Sequence, residues 1–279
     1  MNELKQGSSD WLELRKTKIT ATDSGVILGL SPFKTPFALW RQKMDLDPPE
    51  IETPAMARGT LLEPIAREWL EKKRGIKCEP IVIIKDFMMA SLDGLTSDKK
   101  TVVEIKCGSK SFAQAERGEI APYYLSQLYH QMHCADVDQS LFVAFNGEHG
   151  IVIPVERDQD FINNMIEKER EFYECLITFT SPMMTTRDYL TRSDSQWISL
   201  SEKYRIAHQN LKNAEELEQN LKQELIALSQ SKSTMGNGIK LSKVVKKGLI
   251  DYSAIQEIKN VDLEKYRKKP IEYFRVSID

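Results

Sequence analysis

The sequence predicts an α/β fold with a mixed central sheet flanked by helices, followed by a long C-terminal helix and a small α+β appendage. Runs rich in apolar and β-branched residues at 87–107, 140–145 and 150–155 are typical of buried strands. The stretch at 122–135 indicates a helix of mixed face, and the stretch at 158–178 indicates an amphipathic helix that follows the strands. Strands and helices in this order form a sheet that is covered by helical layers.

Length and composition favour a folded protein inside the cell. The 279 residues are enough for one large domain with an appendage or for two small domains. With 41% hydrophobic and 29% charged residues, the chain is globular rather than disordered. Because no apolar run has membrane-spanning length and the N-terminus lacks a signal-peptide core, we expect a cytoplasmic protein.

The charge is unevenly distributed along the chain. The net charge is −2, but residues 232–275 hold 11 Lys/Arg against 5 Asp/Glu, while residues 1–231 hold 28 against 35. A protein that binds nucleic acid need not be basic overall if its positive residues line a groove. The global charge therefore neither supports nor excludes nucleic acid as a partner.

The N-terminal region contains a candidate anion site. A short helix with Arg15 near its end precedes a second helix that begins at Thr20 or Thr22 and is stopped by Gly29. Hydroxyl and backbone N–H groups at a helix start, with an arginine nearby, can hold a phosphate. Taken alone, these residues are better explained by ordinary capping and a solvated arginine.

The hairpin predicted at 87–107 carries three charged residues where a buried strand should have none. Asp93 is expected to end its first strand, and Glu104 and Lys106 are two residues apart in the second, on one face. A divalent cation would resolve the conflict, because the two carboxylates and the Ile105 carbonyl are hard oxygen ligands. On spacing alone, an edge hairpin with an exposed Asp-Gly turn and a surface salt bridge explains the pattern better.

Two predicted helices carry further polar candidates. Glu63 lies beside an apolar stripe that is expected to face the core, formed by Leu61, Leu62, Ile65, Trp69 and Leu70. A carboxylate in that place is more often on the surface than in a site. Gln127 and Gln131 lie on adjoining turns of the 122–135 helix and therefore on one side of it.

Several motifs occur together in a characteristic order over residues 8 to about 180. They are Trp11-x-x-x-Arg15, Ile19-Thr-Ala-Thr22, Arg58-Gly59-x-x-x-Glu63-Pro64-x-Ala66-Arg67, Ser91-Leu-Asp93-Gly94, Glu104-Ile-Lys106-Cys107 and Tyr124-Leu-Ser-Gln127. In this order they resemble the phage lambda exonuclease-like, YqaJ-type viral recombinase family, within the PD-(D/E)xK nucleases of restriction-endonuclease-like fold. Leu92 stands where that motif has its proline, and Thr22 where lambda-like members often have serine.

The resemblance implies a metal centre. Asp93, Glu104 and the backbone carbonyl of Ile105 would hold Mg²⁺, for which Mn²⁺ is a possible substitute, with one or two ions per site. Glu63 would complete a second metal site or orient a ligand water.

The resemblance also implies roles at the substrate. Lys106 would act on the attacking water, and Gln127 would help to hold that water or the scissile phosphate. Arg15 and Thr22 would grip the 5′-terminal phosphate of the DNA.

The function implied is Mg²⁺-dependent 5′→3′ exonuclease activity on double-stranded DNA. It would start at 5′-phosphorylated ends and leave 3′ single-stranded overhangs for recombination by strand annealing. A ring of three subunits, a single-strand annealing partner and a phage or prophage origin in a bacterial host are further expectations from the resemblance. An endonuclease of the same fold and a non-catalytic DNA-binding scaffold remain alternatives.

We expect the nuclease core to span residues 1–195 and an accessory module to span residues 196–279. In the module, apolar residues from Trp197 to Leu228 recur at close to 3.5-residue spacing and predict one long, coiled-coil-like helix. A Gly-Asn-Gly turn with a basic strand follows, and short helices and a last strand are predicted beyond residue 250.

Overall fold

The structure is a computed structural model that describes residues 6–48, 51, 53–244 and 261. The chain divides into two compact units, Met1–Tyr189 and Leu190–Asp279. The short helices and the last strand predicted beyond residue 250 lie outside the described residues. Within the part of the chain that is described, no helix is long and apolar enough to cross a membrane.

The first unit begins with helices and closes with a helix, and its strands lie between them. Its elements are α1 (Ser9–Thr17), β1 (Ile19–Thr20), α2 (Ala21–Ile27), α3 (Pro36–Lys43), α4 (Pro54–Arg74), β2 (Cys78–Lys85), β3 (Met88–Thr96), β4 (Thr101–Lys106), α5 (Ser109–Ala115), α6 (Pro122–Ala135), β5 (Gln139–Phe145), β6 (Gly150–Glu156) and α7 (Gln159–Ile177).

The six strands form one mixed sheet. The strand order is β1-β3-β4-β5-β6, and β2 pairs with β3 outside this path. The pairs β1/β3 and β4/β5 are parallel, and the other pairs are antiparallel. The predicted α/β class with a mixed central sheet flanked by helices is therefore confirmed.

The side-chain alternation of the strands assigns each sheet face to a helical layer. On β4, Val102 belongs to a core cluster that contains residues of α2, α3, α6 and α7, whereas Val103 and Ile105 belong to a cluster with α4. Because the side-chain period of a strand is two, Glu104 shares the face of Val102, which α6 covers. The sheet thus presents the Glu104 carboxylate to α6.

The contact of α4 with the sheet differs from the predicted apolar stripe. The fully buried residues of α4 are Ala66 and Leu70, whereas Leu61 is 72% exposed and Ile65 is 48% exposed. The helical period places apolar residues around more than one side of this helix, and only tertiary packing selects the side that the sheet covers.

The tight contact between α2 and α6 depends on a glycine. A Cβ on Gly25 would lie 2.7 Å from the Cβ of Tyr123 and 3.0 Å from its Cα. Both atoms belong to the rigid part of α6, so a side chain at residue 25 would push the two helices apart. Gly25 is therefore required for this close approach.

We expect Gly25→Ala to lower the free energy of unfolding by about 1–3 kcal/mol, the typical cost of overpacking a core. Gly59→Ala in α4 is the matched control, because a Cβ there meets nothing within 4 Å. Removing glycine from an open helix position stabilises a protein by about 0.5–1 kcal/mol. Urea unfolding of Gly25→Ala and Gly59→Ala measures both effects. Equal unfolding midpoints for the two variants would contradict the close packing of α2 on α6.

The second unit consists of a long helix and a small hairpin in its described part. Helix α8 (Ser195–Leu228) confirms the predicted long helix, and β7 (Thr234–Gly236) pairs with β8 (Ile239–Leu241) around the predicted turn. No residue of α8 is buried, although the structure describes all of this helix.

Candidate active site

Asp93 lies inside a strand, not at its end. Strand β3 continues to Thr96, and the turn to β4 occupies residues 97–100. The backbone pairing of β3 with β4 covers only Gly94–Val103 and Leu95–Val102. Just beyond these pairs, the Oδ2 atom of Asp93 accepts the backbone N–H of Ile105 at 2.8 Å.

The position of Asp93 corrects two expectations. The prediction that it ends its strand is wrong, and so is the alternative of an exposed Asp-Gly turn. Gly94 is instead a packing residue, because a Cβ there would lie 2.4 Å from the Sγ atom and 2.9 Å from the Cβ of Cys78. The glycine lets β2 and β3 approach closely beside the Asp93 carboxylate.

Glu104 is a buried carboxylate with three cationic or amide donors around it. Its side chain receives hydrogen bonds from Gln127 Nε2 to Oε1 at 2.7 Å and from Gln131 Nε2 to Oε2 at 2.6 Å. Lys106 Nζ lies 2.5 Å from Oε1, as the two-residue spacing on one strand face predicts. Since Glu104 is only 1% exposed, these donors are needed to offset the cost of burying its charge.

Glu63 reaches the site from α4 together with an arginine that the sequence reasoning had not assigned a role. Arg67, one turn after Glu63, binds the Glu63 carboxylate and donates to the backbone carbonyl of Asp93 at 3.0 Å. Arg67 therefore connects α4 to the strand that carries Asp93.

The charges of the site perturb one another. Burial, together with the Glu104 and Glu63 carboxylates, raises the pKa of Asp93 well above its usual value, although Lys106 opposes this. Burial works to lower the pKa of Lys106, but Glu104 and Asp93 outweigh it and the pKa is raised. Negative charge in this cluster is thus not fully compensated by the protein.

The donor set fits a divalent cation, although the side chains are not arranged around one. Asp93, Glu104 and Glu63 supply hard oxygen atoms of the kind that a divalent cation prefers, and a cation beside Asp93 would act against the burial and the neighbouring carboxylates that raise its pKa. In the described residues, no three His, Cys, Asp or Glu side chains are grouped to hold a metal ion. Glu104 faces Lys106 and the two glutamines, and Glu63 faces Arg67.

Arg15 and Thr22 lie together. The guanidinium of Arg15 is stacked on the ring of Trp11, 4.5 Å from its centroid, and donates to Thr22 Oγ1 at 3.5 Å. Trp11 in turn donates from its indole N–H to Ser91 Oγ at 2.8 Å, on the strand that carries Asp93. This contact fixes the first helix against strand β3.

A buried ion pair holds the segment between Arg15 and Thr22. Lys43 of α3 lies 2.8 Å from the Oδ2 atom of Asp23 and also donates to the carbonyls of Arg15 at 2.7 Å and Lys18 at 2.8 Å. Asp23 also accepts the backbone N–H of Thr20 at 2.8 Å. The pair therefore connects the end of α1 to the start of α2.

One cavity is lined both by Thr22, from the candidate phosphate site, and by Lys106 and Gln127, from the surroundings of Glu104. It has a volume of about 240 Å³ and is lined by Thr22, Gly25, Ser31, Phe33, Lys106, Tyr123, Tyr124 and Gln127. The Lys106 ammonium lies 5.0 Å from the centroid of the Tyr124 ring. A ligand in this cavity would touch the helix start at Thr22 and the end of strand β4 at the same time.

The residues that sequence reasoning missed leave only weak signals. The i, i+4 spacing of Gln127 and Gln131 predicts one side of α6 for both, and this is the signal for the role of Gln131 at Glu104. Arg67 stands four residues after Glu63, which is typical of a helical ion pair. Lys43 has no signal in the sequence, because its partners lie 20 or more residues away.

Residues 10–138 match the family described as "YqaJ-like viral recombinase domain". This part of the chain is therefore similar to that family. The chain is also 29% identical over 174 residues to "Uncharacterized protein YqaJ" of Bacillus subtilis (strain 168), covering 59% of this chain and 54% of that protein. It thus spans about half the length of this curated relative.

The fold of this YqaJ-like chain is similar to crystal structures of LHK-Exo, described as an alkaline exonuclease from Laribacter hongkongensis. The structure of LHK-Exo in complex with dAMP is 25% identical with a TM-score of 0.55, and the alignment covers 62% of this chain and 94% of that chain. A second LHK-Exo structure gives 24% identity, a TM-score of 0.54 and the same coverage. The resemblance predicted from the motifs is confirmed.

Proposed function

We propose that this chain is a divalent-metal-dependent exonuclease that degrades double-stranded DNA in the 5′→3′ direction. Its YqaJ-like domain supports this, as does its likeness to an alkaline exonuclease that was crystallised with a mononucleotide. The observation that carries the proposal is the cavity, because it joins the helix start at Thr22 to Lys106 and Gln127 beside the acidic cluster.

Asp93, Glu104, the Ile105 carbonyl and Glu63 are the residues that would hold Mg²⁺, with Mn²⁺ as a substitute. A divalent ion bound there supplies Lewis-acid stabilisation of charge on the phosphate and favours ionisation of a nearby water. Binding requires Glu104 to exchange part of its contact with Lys106 for the ion.

The other residues either act on the substrate or position a group that does. Lys106, which lines the cavity, would orient the attacking water or donate to the scissile phosphate. Gln127 lines the same cavity while its amide N–H holds Glu104. Gln131 is fully buried behind Glu104 and positions that carboxylate without reaching the cavity.

Arg15 and Thr22 account for the proposed direction of degradation. A guanidinium and a hydroxyl at 3.5 Å from each other can bind a terminal 5′-phosphate, which an enzyme that cuts internal bonds does not need. Removal of nucleotides from that end leaves a 3′ single-stranded overhang. A ring of three copies around the DNA and a single-strand annealing partner are part of the same proposal, and a monomeric mass by light scattering would contradict the ring.

The test compares linear duplex DNA bearing 5′-phosphate or 5′-hydroxyl ends with closed circular DNA, in Mg²⁺ or in EDTA. We expect Mg²⁺-dependent release of mononucleotides from the linear DNA only, fastest with 5′-phosphate. Arg15→Gln should remove most of the preference for 5′-phosphate while leaving Mg²⁺-dependent cleavage measurable.

Each alternative function predicts a different result in this experiment. Cutting of the circular DNA would show an endonuclease of the same fold. DNA binding without cleavage in Mg²⁺ would show a non-catalytic scaffold, and either result would overturn the proposed exonuclease.

A further inference from the structure

An exposed aromatic ring stands at the mouth of the cavity. Phe33 lies between α2 and α3 and is 75% exposed, yet it lines the same cavity as Thr22 and Lys106. The rings of Tyr123 and Tyr124 also line this cavity, but they are half-buried on α6, whereas the ring of Phe33 is largely exposed. Its exposure calls for a ligand that offers an apolar surface.

The loop that carries this ring is held in place. The guanidinium of Arg187 donates to the carbonyl of Ser31 at 3.0 Å and to the carbonyl of Pro32 at 2.8 Å. Thr35, which caps α3, donates its hydroxyl to Asp188. The segment after α7 thus holds both ends of the loop by hydrogen bonds, and the backbone that carries the exposed ring is fixed.

One side of the ring contacts α6 and leaves room for a second partner. The ring of Phe33 meets that of Tyr123 edge to face, with centroids 5.7 Å apart and an interplanar angle of 82°. Tyr123 in turn contacts Tyr124, whose ring lies beside the Lys106 ammonium. With three quarters of its surface exposed, Phe33 retains an open face.

A nucleotide matches both ends of this cavity. Its phosphate suits the Thr22 and Lys106 end, and its base offers a flat π-surface that is attached to the same sugar. Stacking of bases on aromatic side chains is favourable for every base, because each base has a π-face.

We propose that Phe33 stacks on the base of the nucleotide whose phosphate occupies the cavity. This inference rests on the proposed function and adds a substrate-positioning residue to it. Because stacking is tolerant of sequence, Phe33 would orient each successive nucleotide without selecting among bases.

The first test measures kcat/KM on 5′-phosphorylated duplexes whose terminal nucleotide is either normal or abasic. Phe33→Ala should lower kcat/KM on normal ends by about 5- to 150-fold, the range measured for loss of a base–aromatic stack. On abasic ends, Phe33→Ala and the wild type should differ by less than about twofold, because the stack is already absent. Phe33→Trp should restore the activity on normal ends.

The matched control is Phe179→Ala. Phe179 is 78% exposed in the same unit but does not line the cavity. Phe179→Ala should leave kcat/KM unchanged on both normal and abasic ends. An equal loss on normal and abasic ends with Phe33→Ala, particularly with an altered mass in light scattering, would overturn stacking and indicate a contact between copies of the chain.

The second test needs neither metal nor turnover. Calorimetric titration in EDTA should show that the wild type binds dAMP more tightly than 2-deoxyribose 5-phosphate, and that Phe33→Ala removes this difference. Equal binding by the wild type would overturn the stacking proposal. Absence of any DNA degradation by the wild type would overturn the proposed function instead, so the two failures are distinguishable.

Discussion

Asp93→Asn is expected to reduce DNA degradation by at least about 100-fold, the scale at which a single preorganised electrostatic group contributes to catalysis. The amide retains an oxygen that can accept the Ile105 N–H, so the strand is preserved while the charge is lost. The readout is the rate of mononucleotide release from linear duplex DNA in saturating Mg²⁺.

The same substitution should stabilise the metal-free protein. The pKa of Asp93 is raised in the folded state, so between the unfolded and folded pKa values the folded protein binds more protons than the unfolded chain. Stability therefore falls as the pH rises through that window, and Asn removes this cost. We expect a higher Tm for Asp93→Asn in EDTA at neutral pH.

Divalent ions should make the wild type more stable than Asp93→Asn, the reverse of the order expected in EDTA. Mg²⁺ should raise the Tm of the wild type by mass action but leave Asp93→Asn almost unchanged. The control is Asp98→Asn in the exposed turn after β3, which should leave both activity and the response to Mg²⁺ intact. An active Asp93→Asn variant, or one that responds to Mg²⁺ like the wild type, would remove Asp93 from the metal centre.

Lys43→Met is expected to destabilise the first unit by about 3–5 kcal/mol, the cost of removing one partner of a buried ion pair. The side chains of Lys43 and Asp23 are only 7% and 9% exposed, so the Asp23 charge would be left buried without a partner. The carbonyls of Arg15 and Lys18 would also lose their donor. Chemical unfolding at neutral pH measures the effect.

The difference in free energy of unfolding between the wild type and Lys43→Met should depend on pH through the charge of Asp23. Burial works to raise the pKa of Asp23, but Lys43 outweighs it and the pKa is lowered. The pair's contribution is therefore present above the unfolded pKa of about 3.9 and is lost as the pH falls through the lowered folded value. The free energies of unfolding of the wild type and of Lys43→Met should therefore become more similar as the pH is lowered.

Lys72→Met provides the comparison for the buried pair. Lys72 forms an exposed ion pair with Glu68 on α4, and its loss should cost less than about 1 kcal/mol. Equal destabilisation by the two substitutions would show that the Asp23–Lys43 pair is not the anchor of the N-terminal segment. If the free energies of unfolding of the wild type and of Lys43→Met differ by the same amount at neutral and at acidic pH, the role of the Asp23 charge is contradicted.

The sequence by itself determined the order of strands and helices and the local faces of the site. The spacing of Glu104 and Lys106 placed both on one face of β4, and the spacing of Gln127 and Gln131 placed both on one side of α6. These relations depend only on the periods of the strand and the helix, which are local properties of the backbone.

Only the tertiary structure decided how these faces meet. Asp93 lies inside β3 because the residues after it, 94–96, still pair with β2 and β4. The exposure of Leu61 follows from the side of α4 that the sheet covers. The approach of Thr22 to Lys106 depends on packing between α2 and α6. Contacts between residues far apart in the chain depend on packing and burial, which the periodicity of a single segment does not specify.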